Sequence, residues 1–407
     1  MGQPVTLGTQ VSKNPGWAFD EGERLQVEPD RVPPDGLVAW HTRWRHAFVL
    51  DWNGPLGKVP ATLRARGYVG VVPFYNGEQL EVRPKIGAQS LLAMVDYAWD
   101  LRGLVWDTEL MRSSGVAHLF EFLVERLATG VLQIQKEGFV REYEEKQNEL
   151  AFIRGTALWG RGEGHFTASV HCRYSARSAD NRANRILAAA LKKAEPLPFR
   201  QDTTRPKVRK AQRVLRAQGV LAEKWDEEAG QTEGENAIGL YRQRRQYRLL
   251  HALSRFILQN RGPSGEAGVF ETAPFLLYLP RLFEQFVGQA LRGQVYFHIK
   301  EQWRLPLQRG RRLAFIPDFT LLRAGEARAV VDCKYKWSAL PEEDDIQQVA
   351  AYALRTGAPT AYLVYPQTVE SLRLSIGNVE VRTLGLDLAN GPVNAAEACR
   401  ADLLKHV

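Results

Sequence analysis

The chain has 407 residues, 44% of them hydrophobic and 25% charged, which is typical of a globular protein and excludes an intrinsically disordered one. Because this length exceeds one ordinary hydrophobic core, we expect two or three domains. No apolar run approaches the roughly 20 residues that a membrane-spanning helix needs, so we expect no membrane partner. The net charge of +8 favours an anionic partner, but by itself it does not separate nucleic acid from an acidic protein or a membrane surface.

Three cysteines lie far apart in the sequence, as Cys172, Cys333 and Cys399. They form no CxxC pair, so the sequence predicts neither a disulfide framework nor a zinc knuckle. We therefore expect a cytoplasmic protein, because the cytoplasm is a reducing compartment.

Residues 1–85 are predicted to be rich in strands and turns. The segments VAWHTRWRHAFVLDW (38–52) and GYVGVVPFY (67–75) combine β-branched and aromatic residues, as strands do. Gly54 and Pro55 interrupt the chain between them. We therefore predict a β-rich N-terminal region.

Residues 86–262 are predicted to be mostly helical. Apolar residues recur at helical spacing in three segments: SLLAMVDYAWDL (90–101), VAHLFEFLVERLATGVL (116–132) and NRANRILAAALKKA (181–194). Basic residues concentrate from Arg200 to Arg216 and again in YRQRRQYRLLHALSRFIL (241–258). These stretches could follow DNA phosphates, but a solvated helix face explains them at least as well. QNRGPSGEAG (259–268) is interpreted as a linker.

Residues 263–407 form the third predicted domain, which begins with a helix over FLLYLPRLFEQFVGQAL (275–291). RRLAFIPDFTLL (311–322) and ARAVVDCKYKW (327–337) follow as two strands of a hairpin centred on Gly325. PEEDDIQQVAAYALRTG (341–357) is then predicted to be a helix, with proline and acidic residues at its start. AYLVYP (361–366) supplies a buried strand, and the whole predicts an α/β core.

Acidic and basic side chains converge in this hairpin. Counting from Gly325, Asp318 and Asp332 are equally distant from the turn, so their Cβ atoms would face each other about 5 Å apart. Because side chains alternate along a strand, Lys334 shares a face with Asp332. On the following helix, Gln348 and Tyr352 are four residues apart and also share a face.

Such a cluster suits the hydrolysis of phosphodiesters. Mg²⁺ prefers oxygen ligands, so Asp318 and Asp332 would hold it, with the Cys333 backbone carbonyl as a further ligand. The metal would acidify a water molecule, and Lys334 would orient or help deprotonate that water and neutralise developing charge. Alternatively, Asp332 and Lys334 form a structural ion pair that allows a carboxylate to be buried without any catalysis.

Four segments in this order resemble the Q-x-x-x-Y subgroup of the PD-(D/E)xK nuclease superfamily: IPDFTLL, VVDCKYK, DIQQVAAYA and YLVYP. Their order and local sequence are most similar to McrC, the nuclease subunit of the McrBC modification-dependent restriction system. Three more segments resemble further elements of that family: LYLPRLFEQFV (277–287), ELAFIRGTALWG (149–160) and Asn184–Leu187. The resemblance extends over about residues 85–375, and the β-rich first 85 residues depart from the shorter family members.

The resemblance implies an α+β or α/β multidomain fold with a C-terminal PD-(D/E)xK nuclease core, a mixed sheet flanked by helices. It assigns Asp318 and Asp332 to the metal and Lys334 to catalysis. Gln348 and Tyr352 become supports of the active site. Glu284 matches the helix carboxylate that such nucleases place near the metal, although a plain solvated position explains it equally well.

The resemblance also implies an activity and a partner. Such a chain is the endonuclease subunit of a type IV restriction system in anti-phage defence. It cleaves DNA, in particular DNA with modified cytosine, using Mg²⁺ or its substitute Mn²⁺. It binds and stimulates a hexameric McrB-type AAA+ GTPase, whereas no nucleotide-binding motif is found in this sequence. The alternatives are a RecB-like repair nuclease without an AAA+ partner and a non-catalytic adaptor that activates the GTPase.

Overall fold

A computed structural model describes residues 17–55, 57–99, 117–158, 169–199, 201–224, 245–259, 275–292, 297–307, 313–389 and 391–405. Within these ranges the chain divides into two compact units. The first contains residues 17–99, 117–119 and 275–405, and the second contains residues 120–259. The three-domain division with boundaries after residues 85 and 262 stays a prediction. The predicted linker from residue 260 onward lies outside the described residues, as do residues 100 and 101 of the segment 90–101, residue 116 and residues 241–244.

The helices, in chain order, are α1 (Pro34–Trp44), α2 (Gly87–Ala98), α3 (Ala117–Glu137), α4 (Arg182–Ala194), α5 (Thr204–Ala217), α6 (Arg245–Gln259), α7 (Leu279–Leu291), α8 (Glu343–Thr356) and α9 (Pro392–Lys405). The strands are β1 (Trp17–Asp20), β2 (Leu25–Val27), β3 (Phe48–Trp52), β4 (Ala61–Ala65), β5 (Tyr68–Pro73), β6 (Gln79–Arg83), β7 (Glu142–Leu150), β8 (Thr156–Ala157), β9 (Val170–Ser178), β10 (Phe275–Tyr278), β11 (His298–Glu301), β12 (Leu305–Pro306), β13 (Ala314–Phe315), β14 (Phe319–Arg323), β15 (Glu326–Cys333), β16 (Thr360–Tyr365), β17 (Arg373–Ile376) and β18 (Val379–Gly385).

A six-stranded mixed sheet forms the centre of the first unit, in the order β11-β14-β15-β16-β18-β17. β15, β16 and β18 are parallel, and antiparallel strands flank them on both sides. All six residues of β16 are buried, as expected for a strand covered on both faces. Because β15 and β16 are parallel, α8 connects them as a crossover helix.

Helices cover both faces of this sheet. On one face, α8 packs into an apolar cluster with β15, β16 and β18, in which Val349 and Ala353 meet Val330, Leu363 and Val381. On the other face, α7 packs against β15 and is flanked by α2 and α9. The sheet and its helices thus form the predicted α/β core near the C-terminus.

The N-terminal part of the first unit contains two further sheets, β1-β6-β5-β10 and β2-β4-β3. This agrees with the predicted β-rich region, but α1 corrects the strand predicted over 38–52. Pro34 occupies the first turn of the helix, where its missing N–H is not needed. The side chains turned toward the protein have helical spacing: Leu37, Trp40, His41 and Trp44. The strand begins only at Phe48, because the aromatic content of the segment belongs to one helix face.

The first four residues of 275–291 form β10 instead of the predicted helix. β10 pairs antiparallel with β5, and Phe275 lies opposite Val71. Gly70 permits this close approach, because a Cβ atom there would lie 2.2 Å from the Phe275 carbonyl oxygen. Pro280 lies in the first turn of α7, and its ring would clash with the preceding turn if the helix extended further back.

The second unit combines α3, α4, α5 and α6 with a three-stranded sheet in the order β7-β9-β8. β7 and β9 pair over nine residues, from Glu142 opposite Ser178 to Leu150 opposite Val170. The prediction of a mostly helical middle therefore omitted a long two-stranded ribbon. Nearly every side chain of β7 is exposed, so the strand lacks the alternation of apolar and polar residues that predicts one.

The protein as a whole is a mixed α/β protein with several sheets. Among the residues that the structure describes, no helix is both long enough and apolar enough to cross a membrane.

Candidate active site

Asp318 and Asp332 lie at the open end of the β14–β15 hairpin. In the antiparallel ladder Phe319 pairs with Val331. One further step in this register brings Asp318 opposite Asp332, and residues opposite each other share a face. That face is the one that α8 covers, because Val330, two residues before Asp332, belongs to the cluster with α8.

The turn of this hairpin differs from the prediction. Arg323 pairs with Glu326, so Ala324 and Gly325 form a two-residue turn. Both turn residues have positive φ angles, 53° and 87°, as a type I′ turn requires. The turn is therefore centred between Ala324 and Gly325, and the prediction of a turn centred on Gly325 was wrong.

A β-bulge restores the register that the turn alone would lose. Counted from the two-residue turn, a regular ladder would place Asp318 opposite Val331, and Asp332 would point to the other face. The register shifts between Leu321 and Leu322, where Arg328 of β15 has no opposite residue in β14. This one extra residue brings the two aspartates onto the same face.

Three hydrogen bonds fix Asp318. The backbone N–H of Cys333 donates to Oδ2 at 2.8 Å, and Nε2 of Gln302 donates to Oδ1 at 2.9 Å. The Gln302 backbone N–H also donates to the Asp318 carbonyl oxygen at 2.9 Å. Gln302 has a φ of 47°, a conformation that residues other than glycine rarely adopt. The strained residue thus holds the carboxylate of Asp318 through its side chain and the main chain of Asp318 through its backbone N–H.

Lys334 connects β15 to α8. Its backbone N–H donates to the carbonyl oxygen of Val364 at 2.8 Å, which fixes the main chain against β16. Its Nζ lies 2.7 Å from Oδ2 of Asp332 and donates to Oε1 of Gln348 at 2.5 Å. Oδ1 of Asp345 lies 3.5 Å from the same Nζ. The ammonium group is therefore held by the Asp332 carboxylate of β15, the Asp345 carboxylate of α8 and the Gln348 amide.

α8 contributes Gln348 and Tyr352 to this cluster. Nε2 of Gln348 donates to the Tyr352 hydroxyl at 2.9 Å, so the amide links Lys334 to the tyrosine. The Tyr352 ring packs edge-on against Phe315, with centroids 5.3 Å apart. The structure thus brings Asp318, Asp332, Lys334, Gln348 and Tyr352 together, whereas their predicted roles stay predictions.

Acidic groups at the site disfavour one another's charged forms. Burial raises the pKa of Glu284 on α7 to about 7, and the charge of Asp318 contributes to this rise. Burial and the charge of Asp332 raise the pKa of Asp318 to about 6. Burial also raises the pKa of Asp332, although Lys334 opposes this effect. A cation beside these carboxylates would relieve both the burial cost and the repulsion.

The donor set fits Mg²⁺ with a partly hydrated shell. Within the described ranges, no three His, Cys, Asp or Glu side chains converge closely enough to enclose an ion by themselves. Mg²⁺ commonly takes one or two carboxylates and keeps several waters, which the facing pair of Asp318 and Asp332 can satisfy. The charges of Asp318 and Asp332 act on Glu284, but the three carboxylates do not converge on one point, so its predicted place near the metal stays a prediction.

Sequence reasoning missed Gln302 and Asp345, both of which contact the predicted residues. Asp345 is 5% exposed despite standing in an acidic run at the start of α8, where a solvated position is expected. Its place two turns before Tyr352, on the same helix face, was the available signal. Gln302 left no comparable signal, because its contact with Asp318 depends on its backbone conformation.

The basic segments of the second unit are partly neutralised. On α5, Lys207 forms an ion pair with Glu125, and Arg209 lies 3.1 Å from Oε1 of Glu195. Arg205 donates to two backbone carbonyls. Their predicted contact with DNA stays a prediction.

A family model described as McrBC 5-methylcytosine restriction system component matches residues 63–366, well over half of the chain. No curated protein matches the chain. The chain is similar to a chain of the refined half-complex from the tetradecameric assembly of Thermococcus gammatolerans McrB AAA+ hexamers with bound McrC. The identity is 16%, the TM-score is 0.55, and the match covers 96% of this chain and 99% of that one.

A second similarity is to the cryo-EM structure of the Thermococcus gammatolerans McrBC complex, with 17% identity, a TM-score of 0.43, and coverage of 70% and 89% of the two chains.

The protein is a mixed α/β protein that carries an acid pair and a lysine at the open end of a hairpin. The chain belongs to the family of McrBC 5-methylcytosine restriction system components. The resemblance to McrC that the sequence motifs indicated is thereby confirmed.

Proposed function

We propose that this chain is the endonuclease subunit of a type IV, McrBC-type restriction system and that it hydrolyses DNA phosphodiesters with Mg²⁺, or with Mn²⁺ in its place. The observation that carries the proposal is the convergence of Asp318, Asp332 and Lys334, supported by Gln348 and Tyr352. This combination of a carboxylate pair, a cation and fixed supports suits charge stabilisation at a phosphate.

The roles of individual residues follow from their contacts. Asp318 and Asp332 would hold the metal, with the Cys333 backbone carbonyl as a further ligand and Glu284 beside them. When bound, Mg²⁺ supplies Lewis acidity and a water molecule of lowered pKa. Asp318 is kept in orientation by Gln302 and by the Cys333 N–H, so its carboxylate is preorganised.

Lys334 is placed to neutralise negative charge at the scissile phosphate. Burial lowers its pKa, but the carboxylates of Asp332 and Asp345 outweigh burial and raise the pKa above the ordinary value. The protonated ammonium therefore favours charge neutralisation and orientation over proton abstraction. Gln348 holds this ammonium from the helix side, and Tyr352 holds Gln348.

We further propose that the chain acts with a hexameric McrB-type AAA+ GTPase on DNA that contains modified cytosine. The family description names a 5-methylcytosine restriction system, and the similar solved structure contains McrB AAA+ hexamers with bound McrC. The partner would supply nucleotide hydrolysis, whereas this chain would supply the cut.

A plasmid cleavage assay tests the proposal. Methylated and unmethylated plasmids are incubated with Mg²⁺, with and without the partner and GTP, using the full chain and its Asp332→Ala and Asp318→Asn variants. We expect cleavage of methylated plasmid by the wild type, its loss in both variants, and unchanged partner binding and GTPase stimulation. Unchanged cleavage by Asp332→Ala would overturn the site assignment.

The same assay separates the alternatives. Cleavage that needs no partner would favour a repair nuclease. GTPase stimulation by a wild-type chain that cuts under no condition would identify an adaptor, and the Asp332–Lys334 contact would then be a structural ion pair.

A further inference from the structure

A buried carboxylate at the start of α8 lies between two lysines. Nζ of Lys336 lies 2.9 and 3.0 Å from the two carboxylate oxygens of Asp345, and Nζ of Lys334 lies 3.5 Å from its Oδ1. The Tyr365 hydroxyl lies 3.5 Å from its Oδ2. Asp345 is only 5% exposed, so its charge is unfavourable unless such partners are present.

Helix formation alone does not explain this carboxylate. Glu343, Asp344 and Asp345 all lie in the first turn of α8, where negative charges favour the helix. Asp344 is exposed and would serve the helix equally well. Asp345 alone of the three is buried and faces both lysines.

The two lysines lie close enough to the acid pair to compete for it. Lys334 and Lys336 both act electrostatically on Asp332, and Lys334 Nζ is in contact with it at 2.7 Å. Lys336 is instead drawn to Asp345 and to Glu342, whose Oε2 lies 2.6 Å from its Nζ. Without Asp345, Lys336 would keep the exposed Glu342 as an ion-pair partner.

We propose that Asp345 is a positioning residue, which draws Lys336 away from Asp332 and confines the Lys334 ammonium beside Asp332 and Gln348. The inference rests on the proposed nuclease function, because it assigns a role within that same site. A merely structural ion pair between α8 and the end of β15 is the alternative, and it predicts an effect on stability alone.

Two variants of the full chain test this role. Asp345→Asn and Asp344→Asn remove the same charge from the same helix turn, so any effect on the helix N-terminus is matched. In the plasmid assay with partner and GTP, we expect Asp345→Asn to lower kcat about 10- to 100-fold with KM nearly unchanged, the usual range when a residue behind an active-site ligand is lost. Asp344→Asn should match the wild type. Equal kcat in the two variants, or a change confined to KM, would overturn the inference.

A second measurement needs no activity. Acylation of Lys334 by an amine-reactive ester is followed by mass spectrometry in the wild type and both variants. We expect Lys334 to react several-fold faster in Asp345→Asn only, because its ammonium is no longer confined. An unchanged rate in folded Asp345→Asn contradicts the inference, whether or not the protein cleaves DNA. If the wild type cleaves nothing, the proposed function fails and acylation alone decides.

A third variant covers loss of folding. If Asp345→Asn does not fold, Asp345→Asn combined with Lys336→Met removes both members of the close pair. Glu342 then loses Lys336, but it is exposed, so no buried charge is left without a partner. Because Lys336 is absent from this variant, it tests the confinement of Lys334 alone. A kcat below that of the wild type and faster acylation of Lys334 are expected, and wild-type values of both would contradict the positioning role.

Discussion

At the candidate site, the carboxylates that suit the proposed activity lower the stability of the fold. Asp318 and Asp332 face each other, and burial together with the charge of Asp332 raises the pKa of Asp318 to about 6. Burial and the charge of Asp332 both disfavour the ionised form of Asp318, so the metal-free fold carries a repulsion that a bound cation would offset. The residues that would hold the metal are thus a source of instability when it is absent.

The first prediction concerns Asp318→Asn. An asparagine can still accept from the Cys333 N–H and, after a flip of the Gln302 amide, donate to Gln302. We expect this variant to lose cleavage and to gain about 1 kcal/mol of unfolding free energy in metal-free buffer near neutral pH, because the cost of burying a charge and the repulsion from Asp332 are both removed. Denaturant unfolding in the presence of a chelator measures it. A loss of more than about 1 kcal/mol would show that the hydrogen bonds outweigh the repulsion.

The second prediction concerns pH. Glu21 is 5% exposed and accepts from the Tyr335 hydroxyl at 3.2 Å, and burial raises its pKa to about 7 from 4.5. The folded state therefore favours the protonated form, so this contribution to stability is complete below about pH 4.5 and is lost as the pH rises through about 7. The full effect is on the order of 3 kcal/mol.

We expect the Tm of the wild type to fall from about pH 5 to pH 8, and Glu21→Gln to reduce that slope because the amide does not titrate. Thermal unfolding across this range is the measurement. An equal slope in both proteins would exclude Glu21 as the source.

Sequence reasoning succeeded where residues signal through spacing along one element. Asp332 and Lys334 alternate on a strand, and Gln348 and Tyr352 repeat on a helix, so their shared faces followed from periodicity. Gln302 could not be found in this way, because its role depends on a left-handed φ and on a partner in another strand.

At the scale of elements, the β14–β15 hairpin shows how a local conformation sets the site. Its type I′ turn favours glycine or asparagine at both positions, and Gly325 meets this preference. Ala324 does not, because its Cβ atom strains a backbone with a φ of 53°. The turn therefore forms at some cost, and the pairing of the two strands holds it in place.

The third prediction follows from this strain. Ala324→Asn should stabilise the protein by about 0.5–1 kcal/mol, because asparagine tolerates the left-handed region, whereas Ala324→Val should destabilise it. Chemical denaturation of the two variants and the wild type measures the difference. Equal stability of the asparagine and valine variants would mean that the turn adopts another conformation.

Elements were misassigned where tertiary contacts override local patterns. Aromatic residues in 38–52 suggested a strand, but Trp40 and Trp44 share a helix face with Leu37. Phe275–Tyr278 carries an apolar run that a helix could continue, but β5 accepts it as a strand. Neither partner surface can be read from the segment itself.

At the scale of the whole molecule, the N-terminal region and the C-terminal sheet belong to one unit. β10 pairs with β5, and α2 packs against α7. Ser90 donates to the Ala389 carbonyl at 3.0 Å, and Trp99 donates to Gln285 at 2.9 Å. Composition separates these segments along the chain, and the sequence alone did not reveal that they pack together.

The fourth prediction tests this arrangement. A fragment of residues 263–407 should lack a cooperative unfolding transition, because one side of α7 and all of β10 lose their partners. The full chain is the control. Circular dichroism melting and limited proteolysis of both proteins measure it. A fragment that melts as cooperatively as the full chain would show that it forms an independent domain.

Arg328, the extra residue at the bulge of β15, also bears on how related chains should be aligned. The number of residues between the two aspartates reflects the turn and the bulge together, and catalysis alone does not set it. A relative that keeps a two-residue turn but has a regular second strand needs one residue fewer between its acids to present them on one face. In a sequence alignment, single-residue gaps in this hairpin should therefore be placed at the bulge, where they keep the two acids aligned. The position of the gap then indicates whether the second strand is regular or bulged.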